Sequence, residues 1–195
     1  MMRIITGRAR GTHLYTLEGE ATRPTSERAK EAVFSMLQFE LAGRDVLDLF
    51  AGSGQMALEA ISRGAKSAVL VDASPKAVDI IKKNVKKTHF DQECRVLCAD
   101  FSDVLRSRRP GFPQQFGLVV IDPPYAKRLV CPVLDQLLSG EWLADGAFVI
   151  CESAEEDIFA ERKDLNAKFE VRRHAKYGAA YVTVLCYHKE ESHGE

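Results

Sequence analysis

Between residues 46 and 152, short unbroken apolar runs alternate with segments whose apolar positions recur three and four residues apart. The runs at 46–50, 68–72, 95–99, 118–122 and 147–152 are too short for helices. They are rich in Val, Ile, Leu and Phe, as strands covered on both faces are. Helical spacing fills the intervals at roughly 56–63, 75–87, 102–108 and 129–138. Pro75 behind Ser74 marks one helix start, because proline pre-sets φ where the first N–H has no helical partner. Such alternation predicts a parallel sheet with helices on both faces. Two more runs, 169–175 and 180–187, bracket Tyr177-Gly178-Ala179 and predict an antiparallel hairpin.

The start of the chain has a different pattern. Gly7 and Gly11 separate short alternating runs within 3–17, which predicts a small β-hairpin. Thr25 or Ser26 then caps a helix with Glu27 in its first turn. Ala29, Ala32, Val33, Met36 and Leu37 follow at helical spacing. Residues 1–43 are therefore expected as a hairpin-and-helix extension packed on a core domain of 44–190.

With 195 residues and 46% apolar content, the chain can bury one substantial core. No apolar run approaches the ~18 residues of a membrane span, and the first residues lack the apolar segment of a secretory signal. Five cysteines, an odd number with no CxxC pair, read as structural thiols of a reducing cytoplasm, and no metal site is expected. The net charge of −1 gives no global attraction to nucleic acid. Local clusters can still bind phosphates: Arg3, Arg8, Arg10, Arg23, Arg28 and Lys30 near the start, and Lys168, Arg172, Arg173, His174 and Lys176 near the end. Solvated surface charge explains each cluster equally well.

Two motifs close the predicted strands. Val46-Leu47-Asp48-Leu49-Phe50 empties into Ala51-Gly52-Ser53-Gly54, after which the helical pattern begins. Gly52 and Gly54 permit positive φ and close approach of a ligand, and the helix start supplies unpaired N–H groups. The Gly52-x-Gly54-x-x-Ala57 spacing, with Asp72 about 20 residues on, also fits a dinucleotide fingerprint. The second motif, Asp122-Pro123-Pro124-Tyr125, follows Leu118-Val119-Val120-Ile121. Its prolines remove two backbone donors and leave carbonyls free to accept. Beside a carboxylate and an aromatic face, they suit a planar amine with hydrogens to be held and a π-face to be stacked. A Pro-rich turn after a core strand is the plainer reading.

The acids discriminate further. Asp48, Asp72, Asp100 and Asp122 stand at or near the ends of successive predicted strands, which share the ligand-binding edge of an open parallel sheet. Such a rim suits the sulfonium, amino group, ribose diol and adenine amine of S-adenosylmethionine. It would repel the pyrophosphate of NAD.

On these motifs the chain resembles the bacterial RsmD family, class I S-adenosylmethionine-dependent methyltransferases acting on the exocyclic N2 of a guanine in 16S ribosomal RNA. The resemblance runs through Met2-Arg3-Ile4-Ile5-Thr6-Gly7 with Arg10-Gly11, Thr22-Arg23-Pro24-Thr25-Ser26-Glu27-Arg28 and Glu31-Ala32-Val33-Phe34. It continues in Asp48 to Gly54, Leu58-Glu59-Ala60, Ser62-Arg63-Gly64-Ala65, Asn84 and Asp122-Pro123-Pro124-Tyr125. The last motif is shared with other amino-group methyltransferases. Gln55-Met56-Ala57 departs from the family's Ala-Leu-Gly, and Asp72 stands where a longer Glu is common.

The resemblance implies a Rossmann-like α/β fold: a seven-stranded, mostly parallel sheet ending in the antiparallel hairpin. It implies S-adenosylmethionine held by Asp48, Phe50, Gly52, Gly54, Asp72, Asp100 and Phe101, with Asp72 at the ribose diol and Asp100 beside Phe101 at adenine. Asp122, Pro123, Pro124 and Tyr125 become the catalytic corner, and Arg10, Arg23, Thr25 and Tyr177 candidate substrate contacts. The expected partner is 16S rRNA within a small subunit or assembly intermediate, met by a cytoplasmic monomer. Plainer readings stand beside these: Asp72 and Asp100 as helix caps, Arg23 and Thr25 as a helix entrance, Tyr177 as part of a hairpin turn. Rival functions are methylation of adenine N6 or a protein glutamine amide, a nicotinamide oxidoreductase, and a non-catalytic ribosome-binding module.

Overall fold

The computed structural model describes residues 2–17, 24–124 and 128–189. Its seven strands are β1 (Asp45–Asp48), β2 (Ser67–Asp72), β3 (Cys94–Cys98), β4 (Phe116–Ile121), β5 (Leu143–Ser153), β6 (Phe169–Tyr177) and β7 (Ala180–Tyr187). They form one sheet in the order β3-β2-β1-β4-β5-β7-β6. The pairs among β1 to β5 are parallel, and β7 runs antiparallel to both β5 and β6. From β1 the chain builds outward through β2 and β3, then returns to lay β4 on the other side of β1. That reversal opens a crevice at the strand ends between β1 and β4.

Six helices accompany the sheet: α1 (Pro24–Met36), α2 (Gln55–Ser62), α3 (Pro75–Thr88), α4 (Phe101–Arg106), α5 (Val130–Ser139) and the short α6 (Lys163–Asn166). Every residue of β4 is buried, as a strand covered on both faces requires. Leu118 and Val120 point into a core shared with Val46, Leu70, Leu58 and Ile81, while Val119 and Ile121 join Leu47, Val71, Leu134 and Trp142 on the other face. Ser74 caps α3, accepting from the Ala77 N–H, and Pro75 is its first residue.

Two expectations near the start are corrected. The N-terminal hairpin is reduced to one bridge, Arg3 to His13, although Ile4 N–H still donates to Thr12 O and Leu14 N–H to Met2 O. The donors of the turn are spent on α2 instead. Ile5 and Thr6 N–H bind the Glu59 carboxylate, Arg8 N–H binds Ser62 O and Ala9 N–H binds Ser62 Oγ. Helix α1 begins at Pro24, ahead of the expected caps Thr25 and Ser26, because proline is preorganised for a first helical turn. Met2, Ile4, Leu14, Val33, Phe34 and Leu37 share the core of α2 and α3, so the extension packs directly on the sheet domain.

Candidate active site

Asp48 closes β1, and the register sets it beside Leu70 of β2 and Val120 of β4. Asp72 and Asp122 therefore stand two residues further along the flanking strands, on either side of Phe50. Asp72 pairs in turn with Cys98, two residues before Asp100. All four acids read from the sequence share one sheet edge.

The loop after β1 is held from two sides. Gly52 donates its N–H to Asp72 Oδ2 at 2.8 Å, and the Asn84 amide of α3 donates to Ser53 O at 2.8 Å. Gly54 caps α2 with φ 79°, and a Cβ there would press on Leu70 at 3.1 Å. A Cβ on Gly52 would instead meet nothing within 4 Å, leaving room above the loop for a ligand.

Asp48 is fully buried, and its Oδ1 has no hydrogen-bond partner. Burial pushes its carboxyl up to about 7; the N–H groups of Phe50 and Ala57 pull it down, and Asp72 adds to the rise. A buried acceptor without a donor is costly unless a ligand supplies one. The amino group and sulfonium of S-adenosylmethionine offer that positive charge, so the residues present fit the cofactor. Phe50 and Phe101 add an apolar wall, their rings 5.1 Å apart and tilted by 45°. Asp72 also accepts from Ser74 N–H at 2.8 Å, so Ser74, not Asp72, is the helix cap. Asp100 does cap α4, taking the Ser102 N–H at 2.8 Å. Both carboxylates retain lone pairs for further donors.

At the end of β4, Asp122 and Pro124 are exposed and Pro123 is buried. Tyr125 and Arg23 lie outside the described residues, and Thr25 is described only as backbone of α1. Arg10 is exposed in the N-terminal turn. Tyr177 ends β6, its hydroxyl accepting from Arg173 Nη2 at 3.0 Å, and the two-residue turn after it has Gly178 at φ 64°. Because Tyr181 pairs with Ser153 at the end of β5, this hairpin tip lies on the same edge as Asp122.

The basic N-terminal cluster is largely consumed internally. Arg8 pairs with Glu93 at 2.9 Å, Arg3 approaches Glu27 at 3.8 Å, and Lys30 is buried 4.0 Å from Glu59. Sequence reasoning assigned no role to Glu59, Asn84 or Ser62. Glu59 is fully buried and also takes Arg63 Nε at 2.7 Å, so it ties the extension to α2. A Glu–Arg pair four apart on a core-facing helix was the available signal.

At the opposite edge of the sheet, Glu170, Cys186 and His188 bring three possible ligand atoms within 4.8 Å. Arg172 and Arg44 lie beside them, and burial raises the Cys186 thiol, both of which oppose a metal cation.

A seven-stranded sheet with β7 inverted between β5 and β6, and an acid-rimmed glycine loop on its ligand edge, defines an S-adenosylmethionine-dependent methyltransferase of class I. A family model described as Conserved hypothetical protein 95 matches residues 2–186; the chain belongs to that family and is an RsmD-type methyltransferase. The chain is 32% identical over 160 residues to "Ribosomal RNA small subunit methyltransferase D" of Escherichia coli (strain K12), covering 80% of this chain and 76% of the relative. It is 31% identical to YlbH of Bacillus subtilis (strain 168), covering 94% and 97%. The solved structure of yhhF from Escherichia coli superposes with a TM-score of 0.83 at 28% identity, covering 97% of this chain and 99% of that one.

Proposed function

We propose that this chain methylates the exocyclic N2 of a guanine in small-subunit (16S) ribosomal RNA. The observation that carries the reading is the offset of Asp122, two residues beyond the level of Asp48 on the adjacent strand. It sets an amine-holding corner next to the buried orphan acceptor suited to the methyl donor. The relatives named as small-subunit methyltransferases support RNA as the substrate class.

S-adenosylmethionine supplies a methyl group on a positively charged sulfur, and in such a displacement alignment provides much of the acceleration. The guanine N2 lone pair is delocalised into its ring and is a poor nucleophile. Accepting its two N–H groups on the Asp122 carboxylate and the Pro123 carbonyl favours a pyramidal nitrogen aimed at the donor. Stacking on Tyr125 holds the base, a contact worth about 1–3 kcal/mol. A base inside a helix cannot reach such a corner, so the target is a loop, a bulge or a flipped nucleotide. After transfer the surplus proton leaves to Asp122 or to water.

The test supplies labelled S-adenosylmethionine to small subunits lacking the modification and maps the labelled base. Label on guanine N2 of 16S rRNA is the expected result. Label on adenine N6, on DNA or on a glutamine amide overturns the substrate assignment.

A further inference from the structure

We propose that the outer face of α3, together with Tyr15 of the N-terminal arm, is a docking groove for the RNA phosphate backbone, separate from the pocket that takes the base. The inference rests on the RNA reading above and deepens it.

Helix α3 carries Lys76, Lys82, Lys83, Lys86 and Lys87 on its exposed side, opposed by one acid of its own, Asp79. The five span about 16 Å of helix at 1.5 Å per residue. Among the described residues none of them forms an ion pair, whereas Arg3, Arg8 and Lys30 of the N-terminal cluster each approach an acid. Lys82 with Lys86, and Lys83 with Lys87, are like-charge pairs four residues apart, which weaken a helix by a few tenths of a kcal/mol each. Lys86 and Lys87 gain something back from the helix C-terminus. Lys76, Lys82 and Lys83 lie before the last turn and gain nothing there. In a chain of net charge −1, this concentration of one sign is a local property that only an external anion would relieve.

Geometry separates this face from an ordinary solvated one. Tyr15, Thr16, Ile80, Lys83, Lys86 and Lys87 line a groove of about 560 Å³. Tyr15 is 50% exposed, and Lys87 Nζ sits 4.4 Å from its ring centroid. An exposed aromatic among unpaired cations is the combination that holds single-stranded nucleic acid, the ring taking a base and the ammonium groups taking phosphates. The groove is also fixed in place. Asn84 accepts the Tyr15 N–H at 2.8 Å, donates to Tyr15 O at 2.9 Å and donates to Ser53 O of the glycine loop. One side chain thus joins the groove wall to the loop of the cofactor site.

The experiment compares wild type with Lys83→Ala/Lys86→Ala/Lys87→Ala and with Tyr15→Ala. Binding to labelled single-stranded and stem-loop RNA is read by fluorescence anisotropy across a salt series. Methylation of unmodified small subunits and calorimetric binding of S-adenosylhomocysteine complete the set. These exposed lysines make no packing contacts that alanine would lose, and alanine favours helix, so folding is preserved and thermal unfolding checks it. The triple variant should bind RNA at least 10-fold more weakly. The slope of log affinity against log salt should fall by about 2, at 0.7–0.9 per lost phosphate contact. KM for subunits should rise, with kcat and S-adenosylhomocysteine affinity unchanged. Tyr15→Ala should weaken binding without changing the salt slope. A triple variant matching wild type in RNA affinity and salt slope overturns the groove while leaving the methyl-transfer reading intact. Wild-type RNA binding that depends on the three lysines, without methylation of any RNA, overturns the substrate reading and leaves the groove standing.

Discussion

The backbone N–H of Gly52 donates to Asp72 Oδ2 at 2.8 Å, so the ligand loop after β1 is anchored on the end of β2. The other oxygen of Asp72 takes the Ser74 N–H, which starts α3. One carboxylate therefore fixes the two turns that flank the cofactor's proposed ribose position. Asp72→Ala removes both bonds to a charged acceptor, a loss of about 2–3 kcal/mol. It should lower the unfolding temperature and weaken S-adenosylhomocysteine binding at least 10-fold. Asp72→Asn keeps one acceptor and should recover most of the stability but less of the affinity. Thermal unfolding and calorimetry read the two effects separately. An alanine variant with wild-type values in both assays would remove Asp72 from the site.

Asp48 makes cofactor binding depend on pH. Its folded carboxyl titrates at about 7, against 3.8 in the unfolded chain. Between those values the unfolded state has already released the proton that the folded state retains. Stability without ligand therefore falls as pH rises from about 4 to 7, by an amount on the order of 4 kcal/mol from this group, and levels off above that. A bound cation favours the ionised form and reverses the trend. Affinity for S-adenosylmethionine should rise through pH 7, with a proton released on binding at pH 6. Calorimetry in buffers of different ionisation enthalpy measures that proton. Asp48→Asn should flatten the profile, weaken binding and stabilise the ligand-free chain at pH 8; an unchanged profile in that variant would exclude Asp48 as its source.

Hydrophobic periodicity carried most of this architecture. The five parallel strands and the β7 run at 180–187 lie where the apolar pattern puts them, within a few residues at most ends. The strand-end acids were legible because parallel strands share one ligand edge. Less legible were contacts whose partners lie far apart in sequence. Glu59 and Ile5 are separated by 54 positions, and Asn84 and Tyr15 by 69, with no period connecting them. The same long-range bonds took donors from the N-terminal turn and left one bridge in place of the expected strand pair. Lys30 looked like surface charge in a one-dimensional reading, yet the fold buries it beside Glu59. The lysines of α3 were plain in the sequence, but their groove with Tyr15 required the tertiary placement of the arm.

The docking of the N-terminal arm on α2 should be sensitive to single atoms. Gly7 has φ 88°, and a Cβ there would lie 1.8 Å from the Ser62 carbonyl oxygen, which belongs to backbone and cannot swing aside. Gly7→Ala should cost at least ~2 kcal/mol, combining left-handed strain with displacement of the arm. Glu59→Ala should cost about 3–5 kcal/mol, because it leaves Arg63, Lys30 and two backbone N–H groups without their acceptor. Denaturant unfolding measures both. Wild-type midpoints in both variants would mean that the arm contributes nothing to the stability of the sheet domain.

Substitutions at Asp122 separate positioning from proton transfer. If the carboxylate acts by accepting an N–H of the target amine, Asp122→Asn retains an acceptor oxygen and should keep measurable turnover. Asp122→Ala, with no acceptor, should lose at least 100-fold in kcat. If Asp122 instead serves as an obligatory general base, asparagine should fail as completely as alanine, since neither takes up a proton near neutral pH. Asp122 is exposed at the strand end and lies beyond the Gly52–Asp72 anchor, so S-adenosylhomocysteine should bind both variants within about twofold of wild type. Single-turnover methylation of unmodified subunits, with calorimetry alongside, distinguishes the cases. Equal and complete loss in both variants, with cofactor affinity intact, would replace the positioning role with a basic one. Full activity in the alanine variant would remove Asp122 from the chemistry.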